Sequence, residues 1–161
     1  MIDRTNAPDL KRLKQIMQVV EKESKALEDV RQRLFLQGKV TEGWLSDIEN
    51  RPQDADMLES FSARFGRMQD TMGDKLFPRF LALLGEKSGA MIDNLNRLER
   101  LQYVSDAAKW LEMRQLRNKL IHEYVEDVGV FAHSLNQANQ YTDELLSVFH
   151  KISKSLQEKY S

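Results

Sequence analysis

Apolar residues recur at three- and four-residue steps along most of the chain, the spacing of one face of an α-helix. Leu10, Leu13, Ile16, Met17, Val20, Leu27, Val30 and Leu34 form the first such run, which Pro8 opens and Gly38 is expected to close. A short helix over residues 41–50 is expected around Trp44, Leu45 and Ile48, stopped by Pro52. Asp56, with Glu59 three positions on, has the layout of a helix N-terminus. The stripe Met57, Leu58, Phe61, Phe65, Met68, Met72, Leu76, Phe80, Leu81 and Leu84 follows it and ends at Gly85. Pro78 lies inside that stripe and predicts a kink or a break, with Gly73 as a second weak point. Further helices are predicted over residues 90–101, 107–126 and 130–159, the fourth capped by Ser105 or Asp106. The sum is an all-α protein: an antiparallel up-and-down bundle of about five helices in a single domain, residues 1–161.

Composition strengthens this picture. The chain has only seven Gly and three Pro, with Leu, Glu, Lys, Arg, Gln and Met abundant, so the composition favours helix over strand almost throughout. Lys and Arg number 24 against 25 Asp and Glu, so there is no long-range field for a polyanion and any such ligand has to be gripped locally. The absence of cysteine excludes a disulfide framework and a thiolate nucleophile. With no leader-like or membrane-length apolar run, no membrane association is expected and the cytoplasm is the expected location.

One residue breaks the pattern on the fourth predicted helix. Trp110, Met113, Leu116, Leu120, Ile121 and Tyr124 share one arc, while Glu112, Gln115, Lys119 and Glu123 face away. Arg117 falls inside the apolar arc, where a guanidinium needs a partner. One reading pairs it with a carboxylate on a neighbouring helix, such as Asp93 or Asp106. The other uses the polar column that Arg114, Asn118 and His122 form at four-residue steps. Imidazole moves protons near neutral pH, guanidinium neutralises phosphate and an amide orients either, which are the parts that metal-free RNA cleavage needs. Arg117 and His122 lie about 140° apart on an ideal helix. Two copies packed about a two-fold axis would let the arginine of one meet the histidine of the other.

The stretch Arg117-Asn118-Lys119-Leu120-Ile121-His122-Glu123-Tyr124 has the pattern Arg-Asn-x-x-x-His-x-Tyr. It resembles the signature of the HEPN superfamily, and more narrowly the HepT-like toxins and the nucleotidyltransferase substrate-binding proteins; WLEM before it is similar to that family too. The resemblance implies an HEPN-like fold and a homodimer that acts as a metal-independent endoribonuclease on an RNA substrate. Arg117 and His122 match the catalytic positions and Asn118 the supporting one, with Arg114 beside it. Tyr124 matches the tyrosine that a minimal nucleotidyltransferase antitoxin modifies by adenylylation. The alternative from another class is a non-catalytic adaptor that presents substrate to a nucleotidyltransferase. No cofactor and no metal are implied: His133 and His150 are 17 apart with no third ligand at a metal-like spacing. The methionines at helical spacing read as core filling.

Overall fold

The computed structural model describes residues 7–122 and 127–160, and these contain helices and turns but no strand. Seven α-helices follow in order: α1 Ala7–Leu34, α2 Glu42–Leu45, α3 Pro52–Asp70, α4 Phe77–Leu83, α5 Met91–Arg100, α6 Ala107–His122 and α7 Val128–Tyr160. A 3-10 turn, Ile48–Asn50, precedes α3, and a π-helical segment, Thr71–Leu76, joins α3 to α4. Because α3, the π segment and α4 make one rod and α2 is a single turn, the long elements number five, as the apolar periodicity predicts.

Contacts between the rods fix their directions. On α3 and the segment after it, Phe61, Arg64 and Thr71 meet Phe35, Ala26 and Glu23 on the α1 side, so the numbering rises on one rod as it falls on the other. Trp110 of α6 packs on Phe77, and Arg117 meets Asp70, which sets α6 antiparallel to the same rod. Ser105 bonds Glu144 and Glu112 accepts from Tyr141, so α7 runs back along α6. Arg31 of α1 reaches Asn139 and Asp143 of α7 and closes the ring. Around this four-rod bundle α5 packs against α4 and α6, burying Leu95 and Leu98. One contiguous core runs from Leu13 and Val20 through Phe61, Phe65, Phe77 and Trp110 to Leu145 and Ile152. No helix among the described residues is long and apolar enough to cross a membrane.

Several boundaries differ from expectation. The first helix ends at Leu34, four residues before Gly38, and Gly38 takes up the turn at φ 96°. Pro52 both stops the 3-10 turn and starts α3, because a missing N–H costs nothing in a first helical turn. The second long helix therefore begins four residues before Asp56, which is an exposed interior position. Pro78 does not break the rod. Its ring would crowd the Asp74 carbonyl in an α-helix; the turn upstream widens instead, and the Phe77 N–H donates to Met72, five residues back. Gly73 lies in that wider turn, where a Cβ would come within 2.6 Å of the Met91 methyl on α5.

Two asparagines that apolar periodicity does not single out hold the connections. The Asn136 amide on α7 accepts from the Val40 N–H and donates to its carbonyl, both at 2.9 Å. The buried Asn94 clasps Gly89 in the same way, at 2.8 and 3.1 Å. Each supplies both a donor and an acceptor to a loop residue that lies outside any helix.

Candidate functional site

Along α3 the apolar stripe of Leu58, Phe61, Phe65 and Met68 faces the core and is fully buried. One turn beyond Ser62 stands Gly66, and one turn beyond that Asp70. This row has small or polar side chains, so α6 cannot seal against it. A groove of about 530 Å³ results, walled on the α3 side by Glu59, Ser62, Gly66, Arg67 and Asp70 and on the α6 side by Arg117, Leu120 and Ile121.

Arg117 crosses this groove. Its side chain lies flat over Gly66, where a Cβ would sit 2.7 Å from Nε, 3.1 Å from Cδ and 3.2 Å from Cγ. At its end Nη1 donates to Asp70 Oδ1. The expected carboxylate partner exists, but it is Asp70 rather than Asp93 or Asp106. Asp93 stands in the first turn of α5, beside Gly89, and Asp106 caps α6 by accepting from the Ala108 N–H at 2.9 Å. The pair is not buried either: the Arg117 side chain is 34% exposed and that of Asp70 41%. Nε and Nη2 of Arg117 have no hydrogen-bond partner among the described residues.

Charges in the groove balance. Arg67 and Arg117 oppose Glu59 and Asp70, so the site presents donors without a net field. Behind Arg67, Glu23 of α1 is held above the usual carboxylate range chiefly by burial, against the Thr71 hydroxyl and the Arg67 and Lys75 charges that pull it down. The Ser62 hydroxyl is buried and has no hydrogen-bond partner among the described residues.

Two of the other residues singled out by sequence do not line the groove. Arg114 and Asn118 are exposed on the neighbouring face of α6. His122 is the last described residue of α6, and its side chain is not among those described. Tyr124 lies outside the described residues. Ile121, expected in the apolar arc, is 59% exposed at the groove rim, while Trp110, Met113, Leu116 and Leu120 of the same arc are buried. Sequence reasoning missed the whole α3 wall. The signal was Gly66 with Asp70 four residues later, a small and an acidic side chain sharing one face inside a run of large apolar ones.

Gly66→Ala is therefore expected to lift the Arg117 side chain off α3 and part it from Asp70. Alanine is favoured over glycine by about 1 kcal/mol in a helix interior, which offsets the local crowding, so the melting temperature should hold. A crystal structure of the folded Gly66→Ala protein should show Arg117 parted from Asp70, and an unchanged pair would show that Gly66 does not set the placement of Arg117.

Comparison with protein-family models, with curated proteins and with solved structures gives no match to this chain.

Proposed function

We propose that the chain is a HepT-like toxin: a cytoplasmic, metal-independent endoribonuclease that works as a homodimer and is silenced by a minimal nucleotidyltransferase partner. The observation that carries the reading is the setting of Arg117. It belongs to the Arg-Asn-x-x-x-His-x-Tyr stretch, and its guanidinium ends in an open groove with only Nη1 engaged among the described residues. In this role Arg117 neutralises an RNA phosphate as negative charge builds on it, and His122 moves a proton. Asn118 and Arg114, exposed beside them, orient and attract the backbone. Adenylylation of Tyr124, seven residues after Arg117, would set a negative phosphate near the guanidinium and oppose RNA binding. Exposed Ile121 at the groove rim, with Val128 and Val130 at the start of α7, supports a second copy covering this end of the molecule.

One observation favours the adaptor reading. Asp70 already neutralises Arg117, as a purely structural partner would. Light scattering tests the composite site on which the ribonuclease reading depends: the expected mass is twice 18.8 kDa. A strict monomer at micromolar concentration would leave His122 without a facing Arg117 and would return the ion pair to a structural role.

A further inference from the structure

The α3 wall carries an assignment that the α6 signature does not contain. Arg117 in the groove has two nitrogens unengaged among the described residues, Arg67 stands on the facing wall, and Ser62 lines the same space with its hydroxyl buried just beneath the surface, without a partner among the described residues. By helix rise, Ser62 is about 6 Å along α3 from Gly66, over which the arginine lies. These are donors waiting for an anionic acceptor. The acceptor in place is Asp70, bound through one oxygen to one nitrogen.

A half-exposed single-contact ion pair is worth only about 0–1 kcal/mol, since water and salt screen it. A phosphate group meets a guanidinium with two parallel N–H···O bonds, a stronger and more directional contact. The groove volume of about 530 Å³ leaves room for such a group. Its balanced charge explains why it would not draw one in while Asp70 remains on Arg117.

We propose that Asp70 is an internal stand-in for phosphate: it occupies Arg117 in the free chain and is displaced when a backbone phosphate enters the α3–α6 groove. Arg67 and the Ser62 hydroxyl then form the second wall of the phosphate site. This rests on the reading of Arg117 as a phosphate-binding residue, and it adds a ligand contact on α3 and a built-in brake. The brake keeps the guanidinium from binding stray anions and sets a threshold that RNA, with many phosphates, passes more easily than a single ion.

The test is a binding measurement that needs no cleavage. A labelled single-stranded 2′-O-methyl oligoribonucleotide, which offers no free 2′-hydroxyl, is titrated against wild type, Asp70→Asn, Arg117→Ala and the double variant. Inorganic phosphate serves as a second probe, and circular dichroism verifies the helices of each variant. Asp70→Asn should bind the oligonucleotide several-fold more tightly than wild type, and the gain should vanish when Arg117→Ala is added. Ser62→Ala should remove part of the same gain. Weaker binding by Asp70→Asn would overturn the proposal and make Asp70 a positioning residue for Arg117. A gain of equal size in the Arg117→Ala background would also overturn it, because the effect would then be long-range charge alone. Binding of neither probe by either Asp70 form would overturn it as well. Should Asp70→Asn tighten inorganic phosphate but not the oligonucleotide, the internal competition stands and the ribonuclease reading falls.

Discussion

His122→Ala is expected to lower RNA cleavage by about 10²–10⁴-fold, the usual contribution of a positioned proton-transfer group. The change should leave the fold intact, because His122 borders the apolar arc in helical register and the neighbouring Ile121 is exposed. Arg117→Ala should reduce cleavage comparably. Its stability cost is set by the geometry of its partner. A buried ion pair broken from one side costs about 3–5 kcal/mol, and that is what an arginine in an apolar arc suggests from sequence. The actual pair is 34% and 41% exposed, so Asp70 is left solvated and the loss should be no more than about 1 kcal/mol. Gel assays on labelled RNA, alongside urea denaturation of each variant, separate the two effects. Full cleavage by folded His122→Ala would remove the proton-transfer role.

Trp110→Ala should be the most damaging single change to stability, at about 3–5 kcal/mol. Trp110 is 1% exposed and packs its ring on Phe77 with centroids 4.9 Å apart, so it joins α6 to α4 at the centre of the core. The lost volume cannot refill easily between two long rods. Trp110→Phe should cost far less. The indole N–H is buried with no partner among the described residues, and removing an unpaired donor relieves about 1–3 kcal/mol of desolvation, which offsets part of the lost packing. Urea midpoints for the two variants check this order. Equal losses would mean that the indole N–H is satisfied in solution.

The helices were legible because core positions in a bundle keep strict three- and four-residue spacing, and Leu13, Val20, Phe61, Met72 and Leu116 are all buried where that spacing puts them. Boundaries were less so, since a proline signals both a stop and a start and only the neighbouring packing selects; at Pro52 it does both. At Pro78 local chemistry demanded a disruption, and the bundle absorbed it as a wider turn because Gly73 lets Met91 close over it. Arg117 was legible as an anomaly, but its partner was not. Asp70 is 47 residues away in sequence and reaches Arg117 only because Gly66 lets the side chain lie against α3. Nothing in the periodicity of one helix reports the small residue on another that makes room for it.

The most direct measurement is incubation of a labelled single-stranded RNA with the purified wild-type protein in the presence of EDTA. The expected result is cleavage by wild type, undiminished by the chelator, together with intact RNA in the His122→Ala and Arg117→Ala lanes. Intact RNA in the wild-type lane, at protein equal to or above the RNA and with the dimer verified by light scattering, would contradict the account and leave α6 as a binding surface.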